Sequence, residues 1–444
     1  MKGFRFLHAA DLHLDSPFKG LSEPPPAIAR VIRDAALSAL DRLVQTALEE
    51  QVDFVLIAGD VYDLRDRSLR AELRFLQAVE RLQEAGIGVY VVHGNHDPLD
   101  GRRAALKWPD NVYFFAADQV ESIIAHSRDG HPVARIHGIS YPTASVTRPL
   151  APLFQAVDEP LYQIGLLHCN VDANRAHANY APCSLEDLLR TRMDYWALGH
   201  VHERRILHCE PWVVYPGNMQ GRHIRETGPR GCYLVNVDEN RNTKLDFRPL
   251  DAVRWHEITI DISALDSEQQ LYDHAASAME KARQDSDLGA ILRIVWTGRG
   301  PLSDLIRREE VRDELLQSLR EAETYANGCE ETWNHDSPVA AASGRGGRWV
   351  WLLPFQVETG DHRELSDWYG KNGFIGDLAQ LVQELETDEE KLQAFVEKAL
   401  EPLLINRRVA KYVEKALEEE RVRLLQLAGD LALHLLLEDR KMNS

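Results

Sequence analysis

Five short apolar segments in the first half of this chain each run directly into a residue that can bind a cation or move a proton. Phe4–Ala9 is followed by Asp11–Leu12–His13, and Phe54–Ala58 by Gly59–Asp60–Val61–Tyr62–Asp63. Gly88–Val92 leads to Gly94–Asn95–His96–Asp97, 163–167 to His168, and 195–198 to Gly199–His200–Val201–His202. Apolar runs of this length, bounded by turn residues, read as buried strands. Between the first two, 27–51 carries Ile28, Val31, Ile32, Ala35, Leu40, Leu43, Val44, Ala47 and Leu48 at helical spacing behind three prolines. Between the second and third, 68–85 repeats the pattern with Leu69, Leu73, Leu76, Val79 and Leu82, Ser68 as N-cap and Gly86 as a stop. Strand, helix, strand in alternation predicts a layered α/β architecture. Every candidate ligand then falls at the carboxyl end of a strand, the edge where sites assemble in open sheets.

Asp, Asn and His supply carboxylate, amide oxygen and imidazole, a set suited to Mn, Fe or Zn and foreign to copper(I) or iron–sulfur chemistry. The groups are too many for one tetrahedral zinc and match two ions sharing a bridging ligand. Taken singly, each motif is an ordinary turn, and His137 on an apolar strand reads as a hydrogen-bonded interior histidine. Five in succession, each closing a strand, point to a site. Five cysteines with no C-x-x-C indicate neither a disulfide framework nor a zinc ribbon. Cys169 is expected to be buried rather than reactive, and neither it nor the nearby His177 is assigned a role. A net charge of -19 is unlike that of a protein holding nucleic acid on its own basic surface. If DNA is the ligand, metals, local basic clusters and a partner must supply the positive charge. Two such clusters lie near the strand ends: Arg102 and Arg103 with Lys107, and Arg222, His223, Arg225 and Arg230.

The order D-x-H, G-D-x-x-D, G-N-H-D, H, G-H-x-H resembles that of the calcineurin-like metallophosphoesterases. More narrowly it is similar to the SbcD-type DNA repair exonuclease subunits and their bacterial YhaO-like branch, as are Tyr215–Pro216–Gly217–Asn218–Met219–Gln220–Gly221–Arg222–His223 and Tyr180–Ala181–Pro182–Cys183. The resemblance covers residues 1–250. It implies a layered β-sandwich core with flanking helices, and two divalent metal ions, expected to be Mn2+. Carried over by motif, Asp11, His13, Asp60 and His202 would hold one ion and Asp60, Asn95, His168 and His200 the other. His96 would protonate the leaving oxygen, with Asp63 orienting it as in the related phosphoprotein phosphatases; many archaeal and eukaryotic relatives carry His in place of Asp63. The chemistry fits those roles. Two cations about 3.5–4 Å apart lower the pKa of a bound water and clamp phosphoryl oxygens, and a departing ribose oxygen needs a proton that imidazole can give near neutral pH. Arg102, Arg103, Arg222, His223 and Arg225 would contact the phosphate backbone.

Past residue 250 the pattern loses its chemistry. A strand over 255–262, a helix over 268–283 and a strand over 290–297 predict a small α/β unit; the resemblance implies that it is a cap domain, over 251–345, ending near a loop at 343–347. Residues 346–444 read as a helical C-terminal region. Over 361–444, twelve Lys and Arg stand against eighteen Asp and Glu, so this is no electrostatic DNA tail. Pro402 is expected to break one helix. The last, 407–438, carries leucines at 424, 425, 427, 431, 433, 435, 436 and 437 and is apolar almost all round, so it must be buried, on its own chain or on a partner. The resemblance implies docking to an SbcC-like SMC-family coiled-coil ATPase, and a homodimer. No Walker A motif is present, no apolar run approaches a membrane span, and Asp11 arrives before a signal-peptide core could form, so a cytoplasmic protein is expected. The expected activity is two-metal hydrolysis of DNA, as a 3′–5′ exonuclease and single-strand endonuclease. A phosphoesterase for a nucleotide or other small phosphodiester, and a scaffold subunit with residual metal sites, remain the alternatives.

Overall fold

The computed structural model describes residues 2–21, 24–63, 68–101, 105–172, 178–285, 289–326, 348–359 and 368–404, with 421, 422, 424–426, 428, 429, 431–433 and 436 beyond them. Arg102, Arg103, His177, the loop at 343–347 and most of 407–438 lie outside the described residues.

The first part runs β1 (Phe4–Ala9), α1 (Pro26–Glu49), β2 (Phe54–Ala58), α2 (Leu69–Glu84), β3 (Gly88–Val92), β4 (Val112–Phe114), β5 (Glu121–His126), β6 (Pro132–Gly138), β7 (Tyr162–His168), α3 (Leu185–Leu189), β8 (Tyr195–Gly199), β9 (Arg205–Cys209), β10 (Trp212–Tyr215), β11 (Gly231–Val237) and β12 (Thr243–Pro249). Two six-stranded sheets result, in the orders β12-β11-β1-β2-β3-β4 and β5-β6-β7-β8-β10-β9. β1, β2 and β3 are parallel, as are β6, β7 and β8. Between the sheets lie Phe6, Phe54, Leu56, Val92, Ile136, Ile164, Tyr195 and Val235, with the Phe6 and Phe54 rings stacked at 5.0 Å. A fully buried aromatic of this kind is worth about 3–5 kcal/mol against alanine, so the sandwich interior keeps strained loops at its edge in place. The outer face of the first sheet packs under α1 and α2. The outer face of the second packs under a cluster that includes Tyr141, Phe154, Leu188 and Trp196. The architecture is the layered β-sandwich with flanking helices that the sequence led us to expect.

Pro26 opens α1, and the Ser68 hydroxyl accepts from Ala71 N at the start of α2. The buried stripe of α2 is Ala71, Glu72, Phe75, Ala78, Val79 and Leu82, while Leu69 and Leu73 face outward. The helix is rotated from the expected leucine face because Phe75 fills the core beside Tyr62 and Trp108. His137 is the interior histidine its strand predicted: its ring nitrogens meet Ser122 Oγ at 2.7 Å and Gln163 Oε1 at 2.9 Å.

The remainder supplies β13 (Val253–Asp261), α4 (Glu268–Gln284), β14 (Gly289–Gly298), α5 (Ser303–Arg307), α6 (Glu309–Ala326), β15 (Trp349–Leu352), β16 (Gln356–Thr359), α7 (Phe374–Thr387) and α8 (Glu389–Leu404). The chain divides into two compact units. One comprises 1–257, 280–292 and 322–353, the other 258–279, 293–321 and 354–444. In the first unit, Ile28, Ile32 and Ala35 pack with Val253, Trp255, Ile291, Trp349 and Trp351, and buried Arg283 forms a bidentate ion pair with Glu323. In the second, Ile375, Ala379, Val382, Leu385 and Leu392 gather around Leu425 and Leu433. Among the described residues of the terminal helical segment, Leu425 and Leu433 are buried and Leu424 and Leu431 are exposed on this chain. α8 also runs through Pro402 to Leu404. A proline there removes a single ladder bond, and within the described residues the helix continues past it. Among the described residues no helix is long and apolar enough to cross a membrane.

Candidate metal centre

The loops after β1 and β2 run side by side: Asp11 N donates to Gly59 O at 3.1 Å and His13 N to Asp60 O at 3.0 Å. Asp11, His13, Asp60 and His200 all take positive φ, between 44° and 98°. Non-glycine residues avoid that region, and a cluster of them is a mark of a functional site. Close approach demands glycine at two neighbouring positions. A Cβ on Gly199 would lie 1.9 Å from Ala58 O, and one on Gly94 would lie 2.3 Å from Asp60 Oδ1. Asp97, the last residue of G-N-H-D, is structural: its carboxylate accepts from Gly94 N at 2.8 Å and Val61 N at 2.9 Å, joining two of the loops.

The imidazoles show what the cluster is built to hold. His168 Nδ1 donates to Ala58 O at 2.9 Å, His200 Nε2 to Ala178 O at 2.7 Å, and His202 Nδ1 to the Glu226 carboxylate at 2.7 Å. Each ring thereby spends its proton on an acceptor outside the centre, and in the neutral form turns a bare lone pair inward. Toward that side lie the carboxylate and amide oxygens of the strand-end motifs and the His13 ring. His168 Nε2 and His200 Nδ1 lie 3.0 and 3.1 Å from Asn95 Oδ1, and His168 Nε2 lies 3.4 Å from Asp60 Oδ2. His202 Nε2 is 3.2 Å from His13 Nε2 and 3.8 Å from Asp11 Oδ1, and His13 Nε2 is 3.8 Å from Asp60 Oδ2. His13 Nδ1 is buried with no hydrogen-bond partner among the described residues. Outward-tied imidazoles are how proteins orient metal ligands. Asp11, His13 and His202 form one group able to hold a divalent metal and Asp11, Asp60 and His168 another, and Asn95 Oδ1 lies within 3.1 Å of the His168 and His200 rings.

A profile of the calcineurin-like phosphoesterase family matches residues 4–204, and one of the middle domain of the metallophosphoesterase YhaO matches 255–360. The chain is 37% identical to the metallophosphoesterase YhaO of Bacillus subtilis (strain 168) over 72% of its own length and 78% of that protein's. This chain belongs to the calcineurin-like metallophosphoesterases. It is thus a metal-dependent phosphoester hydrolase by family. It is also 24% identical to the SbcD component of the nuclease SbcCD of Staphylococcus saprophyticus, over 57% of this chain and 71% of that one. Against the DNA double-strand break repair protein Mre11 of Sulfurisphaera tokodaii it is 25% identical, over 47% of this chain and 52% of that one.

Electrostatics of the metallophosphoesterase centre are dominated by burial. Burial pushes the Asp11 carboxyl up and keeps His13 well below its ordinary value, hence neutral. Burial would also raise Asp60, but the charge and hydrogen bond of His168, with His13 behind it, hold it well below the usual carboxylate range. His168, which burial alone would lower, is pushed up to about 9 by Asp60. Without a cation, then, a proton on His168 Nε2 fills the space between Asp60 and Asn95. A cation entering must displace it, so apparent affinity for a divalent ion should rise with pH up to about 9. Calorimetry at neutral pH in buffers of differing ionisation heat should show proton release on metal uptake. Uptake without proton release would contradict this arrangement.

His96 projects from the same loop as Asn95, with its backbone N–H donating to Asp60 Oδ1 at 2.8 Å. Its Nδ1 lies 3.4 Å from Asp63 Oδ1, and its side chain is 42% exposed, open toward an incoming ligand. Burial would lower its pKa, but the Asp63 hydrogen bond and the Asp60 charge raise it above the ordinary value.

The basic residues divide. The buried Arg222 Nε has no hydrogen-bond partner among the described residues, and Arg222 is close enough to bear electrostatically on His13. Arg225 and Lys107 are exposed. His223 is engaged, with Nε2 3.3 Å from Glu226 Oε1 and Nδ1 accepting from Arg225 N. Arg230 donates to the carbonyls of His202 and Thr227 and to Asn218 Oδ1, so it braces the loop instead of facing outward. Cys169 is buried, 3.9 Å from Cys183 Sγ, and burial pushes its thiol well up. The sequence reading missed Glu226, which is buried beneath the centre. The signal was an acid inside a run of basic residues read as phosphate-facing.

Proposed function

We propose that this metallophosphoesterase hydrolyses DNA phosphodiesters at a two-cation centre, as a 3′–5′ exonuclease and single-strand endonuclease, and serves as the nuclease subunit beside an SMC-like coiled-coil ATPase. The observation that carries the hydrolytic part is the set of inward lone pairs and carboxylates at the strand ends. Asp11, His13, Asp60 and His202 would hold one ion, and Asp60, Asn95, His168 and His200 the other. Bound there, Mn2+ or another divalent cation would supply Lewis-acid polarisation of the phosphoryl oxygens and acidify the attacking water. The chain's own residues do the rest. His96, charged more readily because of Asp63, delivers a proton to the departing ribose oxygen. Arg222 supplies a guanidinium to a non-bridging phosphate oxygen.

The extension to DNA is supported by the names of two relatives, a nuclease component and a double-strand break repair protein. A division into 1–250, 251–345 and 346–444 is part of this proposal, and the middle-domain profile runs past its second boundary to residue 360. The ATPase proposal rests on the resemblance read from the sequence, with exposed Val422, Leu424 and Leu431 as surface for a partner helix. Residues 346–444 would be the docking region.

The test is digestion of end-labelled single- and double-stranded DNA by metal-stripped protein, with and without added Mn2+, beside bis-p-nitrophenyl phosphate. Shortening of DNA only when Mn2+ is present supports a metal-dependent nuclease, and the label pattern gives its polarity. Cleavage of the small ester with DNA intact, even after the ATPase is added, would replace the nuclease reading by a small-substrate phosphodiesterase.

A further inference from the structure

We propose that Glu226 is the positioning residue that locks His202 into the one tautomer able to bind a divalent cation; this rests on the metal reading above. Three donors converge on its carboxylate. His202 Nδ1 lies 2.7 Å and His223 Nε2 3.3 Å from Oε1, and Arg222 N donates to Oε2 at 2.7 Å. Each is a donor by necessity. A carboxylate in this state only accepts, and His223 Nδ1 is already the acceptor for Arg225 N at 3.1 Å. With Nδ1–H spent on Glu226, the His202 Nε2 lone pair is left toward His13 and Asp11. Glu226 is 3% exposed, so water does not compete for these bonds. Its segment is itself anchored, because Glu226 N donates to His223 O at 2.9 Å.

This role differs from that of a bulky core residue. A glutamine at 226 has one acceptor oxygen for donors on two sides. Either orientation of its amide sets an N–H against an N–H, at Arg222 or at the two histidines. If the amide nitrogen faces His202, the ring must turn its lone pair to Nδ1 and its proton into the centre. The role assigned to His223 changes accordingly: it is the second donor to this carboxylate and steadies it, instead of reaching for phosphate.

The test begins on metal-free full-length protein, by long-range proton–nitrogen correlation of the imidazoles. The wild type should show His202 as the Nδ1–H form, and Glu226→Gln should convert it partly or wholly to Nε2–H. Titration with Mn2+ alone should then show one of two ions bound about 10–100-fold more weakly in Glu226→Gln, the usual cost of losing a carboxylate behind a metal-bound histidine. The ion served by His168 and His200 should lose much less. An unchanged tautomer, or unchanged Mn2+ affinity in a folded Glu226→Gln, overturns the proposal. Should that variant not fold, Glu226→Asp decides: its shorter arm cannot span to His202, so the same weakening of one ion is expected, and wild-type affinity overturns. A wild type that takes up no Mn2+ overturns the reading of the centre itself, and this proposal with it. That failure is distinguishable because it is present in the unmutated chain.

Discussion

Asp60→Ala is expected to lower Mn2+-dependent phosphodiester hydrolysis by about 10³-fold or more, exceeding the roughly 10²–10³ lost with a single hydrogen-bond donor to a transition state. Asp60 is placed toward both proposed ligand sets, 3.8 Å from His13 Nε2 and 3.4 Å from His168 Nε2. It also accepts the His96 backbone N–H, so alanine would loosen the G-N-H-D loop as well. Asp60→Asn separates the two effects: its amide oxygen keeps that hydrogen bond while the charge is gone. Hydrolysis of bis-p-nitrophenyl phosphate, with bound Mn2+ counted in parallel, is the measurement. Asp60→Asn should lose most of the activity and part of the metal. Wild-type turnover in either folded variant would mean that the reaction occurs elsewhere.

His96→Gln should cut turnover on DNA by about 10²–10⁴-fold, the span attributed to a general acid. It should cost far less on bis-p-nitrophenyl phosphate, because p-nitrophenolate departs without a proton. Equal losses on both substrates would mean that His96 stabilises charge on the phosphoryl group instead. Asp63→Asn adds the pH dependence. An acid works only while protonated, so activity falls as pH rises through the His96 pKa. Asp63 raises that pKa through its hydrogen bond, so removing its charge should move the alkaline limb of the DNA rate profile to lower pH. A profile that stays in place would leave Asp63 with a structural role only.

Much of this was legible beforehand, for identifiable reasons. β1, β2, β3, β7 and β8 are continuous apolar runs because they are buried on both faces, and parallel strands so buried carry a strong sequence signal. β5, β9 and β12 are half-exposed and mixed in character, so edge strands that complete the two sheets left little trace. The face of α2 was misjudged because leucine spacing cannot tell which of two overlapping stripes will meet Phe75 and Tyr62. Composition all round the terminal helix does not say which side meets its own chain: among its described residues Leu425 and Leu433 do, while Leu424 and Leu431 stay exposed on this chain.

Residue type and order along the chain by themselves determined the candidate donor set, the strand ends that carry it and the family. Ligand chemistry is a property of side chains, and strand ends follow from local hydrophobic pattern. Only the tertiary structure decided what those donors do to one another. The proton on each imidazole goes to Ala58, Ala178 or Glu226, groups 110, 22 and 24 residues away in sequence, and no local pattern encodes such a partner. It also separated two neighbours that read alike as phosphate contacts, leaving the Arg222 guanidinium near His13 and turning His223 down onto Glu226. The reason is burial: an acid taken out of water must collect donors from whatever lies around it, and the fold alone says what that is.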